Sequence, residues 1–156
     1  MILRPYQQHA IDEFLAGLNA GHTRQIVAMA TGSGKTITAS EIIRGLAVIG
    51  KKSLFIVDRI ELIDQAADTL QRLGMHIGIL QGDRTCLHPD DQVIVASIQT
   101  IRARNAPVAE FIVIDECHIL HKAHIKMIET WNAIPVMGLS ATPLREDLGK
   151  YFTNLI

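Results

Sequence analysis

The 156-residue sequence predicts one α/β domain, a mostly parallel sheet with helices packed on its faces. Three observations carry this. Short runs rich in Val, Ile and Leu alternate with longer segments whose apolar residues recur at helical spacing, the order that βαβ units impose. Phe111–Ile114 is apolar throughout, the habit of a strand buried on both faces. Polar or glycine-rich residues directly follow one strand after another: Ala30–Thr36, Asp58, Ser97, Asp115-Glu116 and Ser140–Thr142. That collects them on the carboxyl edge, where open α/β sheets hold ligands.

Taken in order, Arg4–Ala20 reads as a helix, with Pro5 in its first turn and Ala10, Ile11, Phe14, Leu15 and Leu18 on one face. Gly21 is its stop. Gln25–Met29 is a short strand. A helix starts near Lys35 and is expected to bury Ile42, Ile43, Leu46 and Ile49 before Gly50. Leu54–Val57 is the next strand. Asp58 is expected to cap the following helix with Glu61 as its capping-box partner, and that helix ends at Gly74. Ile77–Leu80 is a strand, Gln81–Asp91 a polar loop, and Val93–Ala96 a strand followed by a helical turn after Ser97. The acidic strand Phe111–Ile114 precedes a helix through Ile125, Ile128 and Trp131, and Val136–Leu139 is the last clear strand. No repeat, linker or low-complexity segment divides residues 1–156.

Composition narrows the function classes. The chain is 48% hydrophobic but 4% aromatic, so aliphatic side chains fill the core. A formal net charge of −1 gives no support for tight independent nucleic-acid binding, and leaves room for a local basic strip. Cys86 and Cys117 lie far apart in no ligand-like spacing and read as reduced thiols of a cytoplasmic protein. The start MILRPYQQ lacks a signal-peptide pattern, and no apolar run approaches the ~20 residues of a membrane span. No membrane partner is expected.

The chemistry concentrates in two stretches. In ATGSGKT, Ala30–Thr36, Gly32 and Gly34 let backbone N–H groups turn toward phosphate oxygens. Lys35 would reach β/γ-phosphates and Thr36 would ligate Mg²⁺, with a helix N-terminus adding a favourable field. The strict pattern wants glycine at position 29, where this chain has methionine. In DECH, Asp115 is placed to hold the metal and Glu116 to orient and deprotonate a water. Without the loop upstream, the same pair would read as a surface cap on the next helix.

ATGSGKT, DECH and GLSATP, in that order, resemble motifs I, II and III of superfamily 2 helicases and translocases, DExH branch. LRPYQ at Leu3–Gln7 resembles the adenine motif of the group holding DNA-repair helicases and restriction translocases. LFIVDRIELIDQ and VIVASIQTI resemble motifs Ia and Ib. The resemblance runs from Leu3 to Thr142. It implies a RecA-like P-loop fold, a three-layer α/β/α sandwich that is the first of two such lobes. It implies that Arg4 and Gln7 contact adenine, that Thr31, Gly32, Ser33, Gly34, Lys35 and Thr36 hold ATP phosphates and Mg²⁺, and that Asp115 and Glu116 serve metal and water. His118 would link the nucleotide to Ser140 and Thr142, which couple hydrolysis to the strand track. Arg59, Gln99 and Thr100 would lie near a nucleic-acid backbone, DNA before RNA. Methionine at position 29 is also found in the restriction-like group.

The motifs of a second RecA-like lobe, including its arginine finger, do not occur in these 156 residues. Arg145 is the first residue to test for a finger within the chain. Two rival readings stand: a nucleotide-dependent binding module that does not hydrolyse efficiently, and a restriction-type translocase subunit without strand separation. Other residues read blandly. His118, His121 and His124, three apart, lack the carboxylate or cysteine that would make a metal site, and His121 and His124 are expected on an exposed helix face. Trp131 is expected to be at least partly buried. Arg102 and Arg104 fit phosphate tracking and a solvated face equally well.

Overall fold

Alternation along the strands sorts side chains to the two faces of one sheet. In the computed structural model, which describes residues 2–104, 106–143 and 147–156, Phe55, Val95, Phe111 and Val113 point to one apolar core, and Leu54, Ile56, Ile112 and Ile114 to the other. The first core lies under three helices, α1 (Pro5–Asn19), α2 (Lys35–Val48) and α3 (Ile63–Arg72). The second lies under α4 (Ile98–Ala103) and α5 (Lys122–Thr130), which are only 6 and 9 residues long, so this face has the thinner cover. The edge-on ring contact of Phe14 and Phe111, centroids 5.9 Å apart, ties α1 to the sheet.

The strands are β1 (Arg24–Ala28), β2 (Ser53–Val57), β3 (Ile77–Gln81), β4 (Arg84–Cys86), β5 (Val93–Ser97), β6 (Phe111–Ile114), β7 (Val136–Ser140) and β8 (Asn154–Leu155). They lie in the order β4-β3-β5-β2-β6-β7-β1-β8, and among the described residues only the β3–β4 pair is antiparallel. This is the RecA-like α/β/α layering. β7 lies between β1 and β6, with Ala28 opposite Ser140 and Ile114 opposite Gly138. The loops after β1, β6 and β7 therefore open side by side on the carboxyl edge. Gly138 permits this crowding, because a Cβ there would stand 2.7 Å from Cys117 Sγ.

Five local expectations are corrected. The stretch after β3 is a hairpin turning at Gly82 (φ 50°), so β4 occupies part of the expected polar loop. Asn154–Leu155 adds a parallel strand beside β1. Asp58 caps no helix among the described residues: a 3₁₀ turn over Ile60–Leu62 precedes α3, and the Asp58 carboxylate faces Arg59 and His121 instead. Ile49 and Leu15 are exposed, at 66% and 45%: Ile49 follows the last residue of α2, and Leu15 falls outside the buried stripe of α1. His124 is buried at 1% exposure, not on a solvent face. Trp131 is half-buried against the second core. Among the described residues no helix is long and apolar enough to cross a membrane.

Candidate functional site

The loop between β1 and α2 is fastened by its carbonyls. Ala30 O accepts from the backbone N–H and hydroxyl of Ser33 at 3.1 and 2.6 Å. Ser33 O accepts from the Tyr6 hydroxyl at 2.8 Å and the Gln7 amide at 3.0 Å. No protein acceptor meets the N–H groups of Gly32, Gly34, Lys35 or Thr36 among the described residues. Gly32 (φ 76°) and Gly34 (φ 90°) adopt the left-handed backbone that makes such a concave nest of donors. The nest sits at the N-terminus of the 14-residue α2, where the dipole favours anions. Thr31 is exposed on this loop and Thr36 is half-buried in the first turn of α2. Met29 belongs to the core, 8% exposed, with its sulfur 3.6 Å from the Thr38 hydroxyl.

Gln7 joins the N-terminal motif to this loop. Its Oε1 accepts from Arg4 N at 2.9 Å while Nε2 donates to Ser33 O. A primary amide has two N–H donors and two lone pairs, so one of each remains, the complement of an adenine edge. The Arg4 guanidinium donates to the Tyr6 hydroxyl at 3.1 Å and is otherwise exposed. Tyr6 is thus a link that motif reading passes over. A tyrosine between two motif residues was the signal for it.

The acidic end of β6 faces the loop. The Lys35 ammonium, 10% exposed, stands 3.4 Å from Glu116 Oε1. Glu116 Oε2 lies 3.2 Å from His118 Nδ1, which is also 3.2 Å from Ser140 Oγ, and that hydroxyl accepts from Thr142 N at 3.0 Å. Motifs I, II and III are therefore joined by one string of close polar contacts. Glu116 itself has φ 48°, a conformation that costs a non-glycine residue about 1 kcal/mol or more and aims its side chain back at Lys35. Its N–H is held by Asp115 Oδ1 at 3.0 Å.

Burial, and secondarily the Glu116 charge, push the Asp115 carboxyl above its ordinary value, against the pull of Lys35 and His118. A carboxylate in that position is short of positive charge. Its oxygens and the Thr36 hydroxyl are of the donor type that a hard divalent ion takes. Burial and the same two carboxylates push the Cys117 thiol up to about 12, which leaves it inert.

A second cluster forms beyond this string. His121 Nε2 lies 2.6 Å from Asp58 Oδ1, Gln99 Nε2 donates to Asp58 O at 2.7 Å, and Arg59 Nε is 3.7 Å from Asp58 Oδ2. Arg59 and Gln99 are thereby brought to one place on the carboxyl edge, with the Arg59 side chain 72% exposed. Thr100 is 3% exposed and turned inward: its hydroxyl accepts from Gly82 N at 2.9 Å and lies 3.0 Å from Ser97 Oγ. The pairing of Asp58 with His121 spans 63 residues, and no sequence motif signals it. Arg145 lies outside the described residues.

Comparison with known proteins finds relatives of the chain. A family model described as "Type III restriction enzyme, res subunit" matches residues 1–145. The chain is 36% identical, over 94% of its length, to a putative ATP-dependent helicase, IRC3, of Saccharomyces cerevisiae, and 32% identical, over 90%, to the type I restriction enzyme EcoAI endonuclease subunit of Escherichia coli. It spans 24% and 19% of those two proteins. The solved structure of the type ISP restriction-modification enzyme LlaGI with a DNA substrate mimic superposes with a TM-score of 0.79 at 22% identity, covering 99% of this chain and 19% of that one. That similarity shows the fold.

Proposed function

The chain belongs to the family of type III restriction enzyme res subunits, and from that premise we propose that it is the ATP-binding lobe of a nucleic-acid-dependent ATPase of the helicase and translocase type. The observation that carries this reading is the string Lys35–Glu116–His118–Ser140, which joins the phosphate loop, the acidic strand end and the third motif within hydrogen-bonding reach. Loop N–H groups and Lys35 bind the ATP phosphates, and Arg4 with the unused half of the Gln7 amide reads adenine. Glu116 orients the attacking water and takes its proton, with His118 fixing the carboxylate. Thr36 and Asp115 would hold a magnesium ion, which when bound supplies positive charge against the phosphates. Ser140 and Thr142 pass the state of that site toward Arg59, Gln99 and the Thr100 segment, the nucleic-acid side.

Restriction-enzyme membership favours DNA over RNA as the track. A second RecA-like lobe in the same protein supplies the arginine finger and the other half of the groove, in a reducing, cytoplasmic setting that suits two cysteines with no disulfide. The rival of a binding module without hydrolysis is disfavoured by Glu116, whose side chain is held in position by two partners. The second rival, a translocase subunit that does not separate strands, shares every one of these residue roles. Titration of the chain with Mg-ATP by calorimetry tests the proposal: measurable binding that Lys35→Ala removes supports it, and equal affinities contradict it.

A further inference from the structure

Helices α4 and α5 leave an open groove of about 1160 Å³ between them on the thinly covered face. Its volume is above the roughly 300–1,000 Å³ of small-molecule pockets. Arg102 and Arg104 line it from the α4 side and Lys122 and Lys126 from α5, with Trp131 at the far end, and among the described residues no carboxylate is part of the lining. All four cations are exposed. Arg104 is shared with the Thr85 hydroxyl at 2.9 Å and the Asp83 carboxylate at 4.0 Å, but among the described residues Arg102, Lys122 and Lys126 form no ion pair. In a chain of formal charge −1, four cations around one groove are a local concentration of positive potential.

The groove's head fixes what it meets. Gln99 and His121 stand there, both bonded to Asp58, the residue before Arg59. The cationic rim is thus continuous with the Arg59 and Gln99 edge. Lys126 is five residues beyond His121, the residue that precedes α5, about 7 Å along the axis at 1.5 Å per residue. A duplex whose one strand lies on that edge presents its second phosphodiester strand across a groove roughly 6–12 Å wide. A single strand on the edge has no need of these cations.

Resting on the nucleic-acid reading above, we propose that the α4–α5 groove is a separate duplex-binding surface, in which Lys122, Lys126 and Arg102 hold the backbone of the strand that does not lie on the Arg59–Gln99 edge. The half-buried Trp131 ring and the alanine methyls between the cations give the sugar faces an apolar wall.

The test measures binding of a fluorescein-labelled 20-base-pair DNA duplex, and of one of its strands alone, by anisotropy over a range of salt. The proteins are the parent chain, Lys122→Ala/Lys126→Ala and Arg59→Ala, each shown by thermal melting to fold. The double variant is expected to bind duplex about tenfold more weakly, with a salt slope smaller by about one per lysine, and to bind the single strand as the parent does. Arg59→Ala should weaken both ligands. Duplex binding unchanged in the double variant, or an equal loss for the single strand, overturns the groove assignment while leaving the edge intact. So does a poly-glutamate peptide that competes for the groove better than the duplex. If Arg59→Ala changes neither ligand, the nucleic-acid reading itself fails.

Discussion

Lys35 Nζ stands 3.4 Å from Glu116 Oε1, so the cation that should meet the β/γ-phosphates also neutralises the proposed base. An arriving phosphate must compete with Glu116 for that ammonium. Glu116→Gln removes the competing charge, and the variant should bind Mg-ATP as tightly as the parent or several-fold more tightly. Lys35→Ala should bind it about tenfold to a hundredfold more weakly, the worth of a charge-assisted hydrogen bond of roughly 1.5–3 kcal/mol. Calorimetry reads both. Weaker binding by Glu116→Gln would contradict the competition.

Gly34 couples the adenine motif to the phosphate loop through space. Its φ is 90°, and a Cβ there would stand 2.5 Å from Gln7 Nε2. Gly34→Ala should cost about 1–2 kcal/mol from the backbone alone, plus displacement of the Gln7 amide from Ser33 O. In a chain of this size each kcal/mol lowers the melting midpoint by about 2–4 °C. Combined with Gln7→Ala the loss should be smaller than the sum, because the clash disappears with the amide. Thermal melts of the two single variants and the double one would show it. Strict additivity would mean that Gln7 does not press on the loop.

Much of this was legible in the sequence, and the misses share a cause. The phosphate loop, the acidic strand end and the third motif each follow a strand, and strand ends register from local apolar runs. The β3–β4 hairpin escaped because Arg84-Thr85-Cys86 is exposed on an outer edge and has no apolar signature. β8 is two residues long and exists only as a parallel addition to β1. Asp58 has the sequence context of a helix cap, but a partner 63 residues away takes its carboxylate. His124 reads as solvated because helical spacing does not reveal what packs over a short helix.

His124 makes the stability depend on pH. Burial, and next the neighbouring His121, lower its pKa from 6.5 to about 4, against a raising pull from Asp58. Its Nδ1 accepts from His121 N at 3.1 Å, which puts the neutral ring's proton on Nε2, a buried atom without a partner among the described residues. The folded chain therefore resists protonation more than the unfolded chain does. Stability from this group is full above pH 6.5 and falls as pH drops toward about 4, by up to about 3 kcal/mol at ~1.4 kcal/mol per pKa unit. Thermal melts across this range should show the decline, and His124→Gln should flatten it. An unchanged slope in the variant would assign the pH effect elsewhere.

The measurement that bears most directly on the proposed function is single-turnover ATP hydrolysis by this chain joined to the proposed second lobe, with and without DNA. Residues 1–156 alone should turn over negligibly, because the proposed second lobe would supply the arginine finger, worth ~10³–10⁵ in rate. The two-lobed protein should hydrolyse ATP in a DNA-stimulated manner. Glu116→Gln should reduce that rate by at least about 10², the lower end for a general base, while ATP binding persists. Hydrolysis indifferent to DNA, or as fast in Glu116→Gln as in the parent, would contradict the account.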